Sequence, residues 1–249
     1  EIILNKDYGR VLLLDGLVQT TERDEFYYHE MLVHPAMCCH PNPRRILIVG
    51  GGDGGALREV LKHPVRKVWL VEIDGQVIEA CRTHFPWLKP ALKDKRVELV
   101  VADGNNFIDD TARTYDVIIV DSSDPVGPST VLHQQAFYKK LKSRLAPGGI
   151  VVGQAGSLMI HQDSHARKRA FLRKMFGIAE LYTGPVPTYP VGTWCYDFLS
   201  DSVEPFDVRK SRIPKGLKYY NSVIHLAAFA LPTFLNEKLA AAGRSRRKN

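Results

Sequence analysis

Arg45-Ile46-Leu47-Ile48-Val49-Gly50-Gly51-Gly52-Asp53-Gly54-Gly55 is the stretch whose reading decides the fold. Ile46 to Val49 is a continuous apolar, mostly β-branched run, the pattern of a strand buried on both faces. Glycines then crowd around a single aspartate, and Ala56-Leu57-Arg58-Glu59-Val60-Leu61-Lys62 reads as a helix. Strand, glycine turn and helix start make the nucleotide-binding corner of an open parallel sheet. There glycine lets the backbone approach a ligand that a Cβ would push away. The Gly-Lys-Ser/Thr ending of a phosphate loop is absent, so no lysine is placed for a triphosphate. Asp53 stands where a pyrophosphate would come and would repel it. It suits a neutral or cationic ligand, such as a nucleoside sulfonium of the S-adenosylmethionine type. A purely structural turn with Asp53 as helix N-cap is the competing reading.

Working outward, Lys67-Val68-Trp69-Leu70-Val71-Glu72-Ile73-Asp74 is a second buried strand ending in acids. Glu72 lies about 20 residues past the glycine turn, where an acid reaches a ribose diol. A helix is expected over residues 75–85. A third strand over 97–101 leads to Asp103-Gly104, an acid placed for an adenine amino group. The fourth strand, 115–120, runs straight into Asp121-Ser122-Ser123-Asp124-Pro125-Val126-Gly127-Pro128. Asp121 and Asp124 thus sit at the carboxyl end of a central strand, where open α/β sheets put ligands. Further helices are expected over 134–145 and 164–176, a turn at Pro147-Gly148-Gly149, and strands over 150–153, 179–182 and 194–200. Upstream, residues 2–4, 10–14 and 17–20 read as hairpin strands, 24–32 as a helix and 41–43 as a linker. The alternation specifies an α/β fold, a parallel-rich sheet with helices on both faces.

The 249 residues accommodate one large domain or one domain with an appendage. With 45% hydrophobic and 24% charged residues, the composition is that of a globular chain. No apolar run approaches the ~20 residues that span a membrane, and no signal peptide is read at Glu1; no membrane role is expected. Part of the formal charge of +7 lies in the tail Arg244-Ser245-Arg246-Arg247-Lys248. The other Lys and Arg are scattered without aromatic interleaving, so no nucleic-acid role is expected. The candidate site residues are acidic in a basic chain, which points to a cationic substrate. Of four cysteines, Cys38 and Cys39 are adjacent and Cys81 and Cys195 isolated. Without metal-ligand spacing, they read as reduced thiols of a cytoplasmic protein that holds no metal.

Taken together, Leu14-Asp15-Gly16-Leu17-Val18-Gln19, Thr21-Glu22-Arg23-Asp24-Glu25-Phe26, Gly50 to Gly55, Val71-Glu72-Ile73-Asp74 and Asp121 to Pro128 resemble the spermidine synthase family of aminopropyltransferases. Pro187-Thr188-Tyr189-Pro190, Lys218-Tyr219-Tyr220-Asn221 and the stretch from Ala227 to Pro232 continue the match. The resemblance implies a Rossmann-like, methyltransferase-type seven-stranded sheet over residues 23–240. It also implies a small N-terminal β domain over 1–22, and the composition marks a basic tail over 241–249. Family members carry further strands before Glu1, so the N-terminal domain is expected to be truncated. The implied reaction transfers the aminopropyl group of decarboxylated S-adenosylmethionine, a co-substrate, to a diamine, usually putrescine. Spermidine and methylthioadenosine are the products, with no prosthetic group. Gln19, Gly50, Gly51, Glu72, Asp103, Gly104 and Pro128 match the nucleoside-binding set. Asp53 matches the partner of the donor's ammonium and Asp121 the general base. Tyr28, His29, Ser122, Ser123, Asp124, Gln154 and Tyr189 match the amine channel.

The chemistry agrees. Primary amines have pKa values near ~10.4 and arrive protonated, without a lone pair to attack. Asp121 can take that proton, and Asp124 is available to the distal ammonium. The sulfonium leaves readily, so neither metal nor covalent nucleophile is required. Agmatine, cadaverine or spermidine could replace putrescine. A methyltransferase using intact S-adenosylmethionine is a second reading, disfavoured by Asp53 beside the donor's carboxylate. An inactive polyamine-binding homologue is a third, disfavoured by the presence of Asp121 and Tyr189. The orphan hairpin must pack on something, which favours a homodimer or homotetramer.

Overall fold

The computed structural model describes residues 1–123 and 127–244. Asp124 and the end of the basic tail lie outside the described residues. The chain opens with β1 (Ile2–Asn5), β2 (Gly9–Leu14) and β3 (Leu17–Thr21), a small antiparallel sheet in the order β1-β2-β3. Helix α1 (Glu25–Cys39) leads into β4 (Arg45–Gly50), α2 (Gly55–Leu61), β5 (Lys67–Glu72), α3 (Gly75–His84), α4 (Leu88–Leu92) and β6 (Val97–Val101). Then come α5 (Gly104–Asp110), β7 (Tyr115–Asp121), α6 (Gln135–Ser143), β8 (Leu145–Ser157), α7 (Gln162–Met175), β9 (Ile178–Pro185) and β10 (Thr193–Ser200). Helices α8 (Ser222–Ala228) and α9 (Thr233–Arg244) close the described chain.

The large sheet has the order β6-β5-β4-β7-β8-β10-β9. It is parallel from β6 to β8, and β10 is antiparallel to both its neighbours. This is the Rossmann-like, seven-stranded arrangement. Side chains of β4 alternate between the faces, as strand pleating requires. Ile46 and Ile48 enter the core that α1 and α2 cover, whereas Leu47 and Val49 enter the core with α6 and α7. After β4 the chain builds outward through β5 and β6, then returns to lay β7 on the other side. That reversal opens a crevice at the carboxyl ends of β4 and β7. There Gly50 lies in register with Asp121.

Two expected elements end differently. Helix α1 does not stop near residue 32 but passes through Pro35. Proline has no N–H for the carbonyl four residues back, normally a cost of ~3 kcal/mol. Here the orphaned Met31 carbonyl accepts from the Tyr182 hydroxyl at 2.9 Å. Strand β8 extends through Pro147-Gly148-Gly149, where a turn was expected. Its register with β7 passes from Tyr115↔Leu145 to Val117↔Ile150, so the Pro-Gly-Gly segment is carried as an irregularity within the strand.

The C-terminal segment is fastened by Glu30 of α1. This buried carboxylate accepts from the backbone N–H groups of Lys218, Tyr219 and Tyr220, all at 2.8 Å. The small sheet packs Leu12 against Cys81, Phe85 and Leu88 and leaves Leu4 and Leu17 exposed on its outside.

Candidate active site

Sheet topology brings Asp53, Glu72, Asp103 and Asp121 to the carboxyl ends of neighbouring strands, and α1 lowers Tyr28 and His29 onto them. Packing dictates the glycine loop as much as ligand access does. The Gly51 N–H donates to the Asp121 carbonyl at 3.0 Å. Gly51 has φ +73°, and a Cβ there would stand 2.9 Å from Asp121 Oδ2. A Cβ on Gly55 would stand 2.1 Å from His29 Cε1. These positions leave room for the side chains of Asp121 and His29.

Asp121 ends β7. Its Oδ1 accepts from the Tyr28 hydroxyl at 2.7 Å, while its buried Oδ2 has no hydrogen-bond partner among the described residues. Burial, then the charge of Asp53, push its carboxyl up to about 6, against the pull of His29 and Tyr28. Such a carboxylate is ionised at neutral pH yet basic enough to hold a proton in passing. Burial and the neighbouring Asp121 raise the Tyr28 phenol well above its usual range, so it stays a neutral donor.

Asp53 follows a different logic. Its Oδ1 accepts from the Gly55 N–H at 2.9 Å, its Oδ2 lies 3.3 Å from His29 Nε2, and its carbonyl accepts from Trp87 Nε1 at 3.1 Å. Burial raises its pKa, but His29, the Gly55 N–H and Arg58 outweigh burial and hold Asp53 below the usual carboxylate range. The His29 ring also meets Glu25 Oε2 through Nδ1 at 2.6 Å. Burial disfavours charge on the ring, yet Asp53 and Glu25 together raise its pKa well above normal.

His29, Asp53 and Asp121 each bring a ligand atom within 4.8 Å of the other two. Both His29 nitrogens face carboxylates, which favours the doubly protonated ring over one that offers a nitrogen lone pair. The remaining negative charge on Asp121 suits an organic cation.

Glu72 presents two oxygens at the end of β5, one accepting from the Gly52 N–H and one from the Asp74 N–H, both at 3.0 Å. Burial raises its pKa, and each oxygen retains acceptor capacity for a diol. Asp103 caps α5, its Oδ1 taking the N–H groups of Asn105 and Asn106 at 2.7 and 3.0 Å. A Cβ on Gly104 would stand 2.4 Å from Val49, so glycine lets α5 close on the sheet.

Tyr28, Tyr189 and Tyr196 form an aromatic wall, with ring centroids 5.9 and 5.7 Å from Tyr28, and Trp194 packs 4.7 Å from Tyr189. The Tyr189 hydroxyl donates to the Gln19 carbonyl, joining the wall to the N-terminal sheet. The Gln19 side chain donates to Leu17 in its own strand region. Asp24 braces the other end of the wall, accepting from the Thr188 N–H and hydroxyl at 3.0 and 2.7 Å. Gln154 braces the loop that follows Asp121. Its Nε2 donates to the Ser122 and Ser123 carbonyls at 3.0 and 3.2 Å, and its Oε1 accepts from Trp194 Nε1 at 3.0 Å. His133 adds a contact to the Ser123 carbonyl at 3.2 Å. Ser122 and Ser123 follow Asp121 directly, and Pro128 is the second residue of a 3-10 helix, Gly127–His133. Asp124 lies outside the described residues.

The sequence reading missed Glu25, Arg58, Trp87, His133 and Trp194. The Glu25-x-x-x-His29 spacing, which places both on one helical face, was the available signal. The others meet the site only through tertiary structure.

Comparison with known proteins gives a consistent assignment. A family model for the spermine/spermidine synthase domain matches residues 25–209, and one for the spermidine synthase tetramerisation domain matches residues 1–22. A polyamine aminopropyltransferase of Shouchella clausii is 45% identical over 241 residues, 96% of this chain and 88% of that protein. One from Caldicellulosiruptor bescii is 45% identical over 238 residues, 95% and 86%. The crystal structure of a spermidine synthase in complex with the transition-state analogue AdoDATO superposes with a TM-score of 0.92. It is 41% identical and aligns with 96% of this chain and 84% of that one. Spermidine synthase from Thermotoga maritima gives a TM-score of 0.89 at 40% identity, with 96% and 82% covered.

Proposed function

The chain belongs to the spermine/spermidine synthase family of transferases, and we propose from that premise that it transfers the aminopropyl group of decarboxylated S-adenosylmethionine to putrescine. The observation that carries the reading is Asp121, with one oxygen held by Tyr28 and the other buried without a hydrogen-bond partner among the described residues, beside Asp53.

Putrescine enters as a dication between aromatic walls that accept its methylenes and favour its charge. An amine with pKa near ~10.4 gives its proton to a group at about 6 only at a cost of ~6 kcal/mol. The adjacent sulfonium and the His29 charge reduce that cost, because like charges lower an ammonium's pKa. Once the proton is on Asp121 Oδ2, the nitrogen lone pair attacks the carbon bonded to sulfur. The C–N bond forms, the C–S bond breaks, and sulfur keeps the electron pair as a neutral thioether. Asp53 holds the donor's terminal ammonium and so aligns carbon and sulfur with the nitrogen. Glu72 takes the ribose diol and Asp103 the adenine edge, with Gly50, Gly51, Gly104, Pro128 and Gln19 around the nucleoside. Tyr28, His29, Asp53, Ser122, Ser123, Gln154 and Tyr189 are assigned to the amine, Gln154 acting through the loop that it braces, and Asp124, outside the described residues, is assigned there from the family resemblance alone.

Residues 1–22 are assigned to assembly as a homo-oligomer, supported by their match to the tetramerisation domain and by exposed Leu4 and Leu17. Residues 23–240 are assigned to catalysis. A cytoplasmic location is in keeping with four buried free cysteines, and no helix among the described residues is long and apolar enough to cross a membrane.

The test is methylthioadenosine release from decarboxylated S-adenosylmethionine over a panel of putrescine, cadaverine, agmatine and spermidine, with intact S-adenosylmethionine as competitor. Preferred turnover with putrescine and weak competition are expected. Turnover of intact S-adenosylmethionine by methyl transfer would refute the reading, and preference for another amine would correct the acceptor.

A further inference from the structure

Behind Asp53 and Asp121 runs a buried chain of charges that no step of the transfer consumes. Arg58 of α2 grips Glu25 of α1 with two N–H···O bonds, both 2.8 Å. Glu25 meets His29 Nδ1 at 2.6 Å, and His29 Nε2 lies 3.3 Å from Asp53. Glu25 and His29 are 6% and 2% exposed. Arg58 also lies 5.5 Å from the centre of the Trp87 ring, whose N–H donates to the Asp53 carbonyl. One arginine therefore braces both ends of the Glu25–His29–Asp53 chain.

We propose that Glu25, clamped by Arg58, is a positioning residue for the transfer: it holds the His29 ring as a donor to two carboxylates at once, and through that ring fixes the charge that Asp53 and Asp121 present to the amines. This rests on the aminopropyl-transfer reading. An imidazole donating from both nitrogens carries a positive charge. Burial opposes that charge, and Asp53 and Glu25 together overcome burial. Removing Glu25's charge leaves Nδ1 facing a neutral group, and the buried ring gives up its extra proton. A positive charge then disappears within 4.8 Å of Asp121. The groups acting on Asp121 are Tyr28 and His29 of α1, Asp53 of the glycine loop and Glu72 of β5, with Tyr196 on the aromatic wall. Asp53 and Glu72 raise its proton affinity, whereas His29 and Tyr28 lower it. Without the ring charge the acids prevail, and Asp121 stays protonated to higher pH.

The sign of the effect distinguishes this role from its alternatives. If Glu25 acted on Asp121 by its own charge, neutralising it would lower the proton affinity of Asp121. If Glu25 served packing alone, the pH profile would keep its place. The experiment compares the full-length wild type with Glu25→Gln, Glu25→Asp and His29→Gln. It records kcat for methylthioadenosine release from pH 5 to 9, and ¹⁵N shifts of the His29 ring. Glu25→Gln and His29→Gln are each expected to move the acidic limb to higher pH by about one unit or more. Glu25→Asp keeps the limb in place, and a double variant combining Glu25→Gln with His29→Gln moves it no further than His29→Gln. The His29 ring carries two protons at pH 7 in the wild type and one in Glu25→Gln. An unmoved or acid-shifted limb, or a ring that stays doubly protonated in Glu25→Gln, overturns the proposal. If Glu25→Gln does not fold, an unmoved limb in His29→Gln overturns it alone. A wild type that releases no methylthioadenosine defeats the functional reading instead, while the ring shifts still report on Glu25.

Discussion

Replacing Tyr28 by phenylalanine removes one oxygen and with it the hydrogen bond holding the proposed base. The bond is short, 2.7 Å, buried, and made to a carboxylate. Hydrogen bonds to charged partners contribute about 1.5–3 kcal/mol. That is about 1–2 pH units at 1.36 kcal/mol per unit. Asp121, held at about 6 in the wild type, would then titrate at roughly 7–8. At pH 7 its ionised fraction falls from about nine-tenths to between roughly a half and a tenth, so kcat drops about 2–10-fold from titration alone. The loss shrinks as pH rises, because alkali restores the carboxylate that the hydroxyl had favoured. Initial rates of methylthioadenosine release from pH 5 to 9, with both substrates saturating, read this directly. The wild-type rate should fall tenfold per unit below about pH 6, and Tyr28→Phe should show the same slope displaced upward. A uniform loss at every pH, with the limb in place, would refute the claim that Tyr28 tunes Asp121.

Other outcomes follow from the same contacts. Asp121 is raised from 3.8 to about 6, so its ionised form costs the folded state stability, a cost absent below the unfolded pKa and complete above the folded one. Asp121→Asn should therefore raise Tm by a few degrees at pH 7 and lose that advantage near pH 3.5, checked by calorimetry. Glu30→Ala leaves three backbone N–H groups without their acceptor and should destabilise by about 3–5 kcal/mol, measured by urea unfolding. Gly55→Ala puts a methyl group into the His29 ring and should cut kcat at least ~10-fold while far-UV circular dichroism is retained. Leu4→Asp places a charge on a side chain 83% exposed, and light scattering should show smaller assemblies with the fold intact.

The sheet was legible because strands buried on both faces write themselves as unbroken apolar runs, as in Ile46–Val49 and Ile118–Val120. The acids that end those strands were legible for the same reason, since a residue after a buried strand must lie at the sheet edge. What failed to show depends on distant partners. The passage of α1 through Pro35 rests on Tyr182, 151 residues from Met31. Glu30 finds its donors 188–190 residues away, and Glu25 its arginine 33 residues away. The contacts of the Gln154 amide with Trp194 and with the Ser122 and Ser123 carbonyls likewise join segments far apart in the chain. Helix α5 escaped notice because Gly104-Asn105-Asn106 has turn composition, and Asp103 supplies the cap that overrides it.

The central claim is that Asp121 takes the proton of the attacking amine. Asp121→Asn keeps the side-chain shape and an acceptor for Tyr28 but cannot serve as the base. In single-turnover experiments with decarboxylated S-adenosylmethionine and putrescine, it should bind the donor within about threefold of wild type and release methylthioadenosine at least ~100-fold more slowly. Near-normal release by this variant would contradict the account.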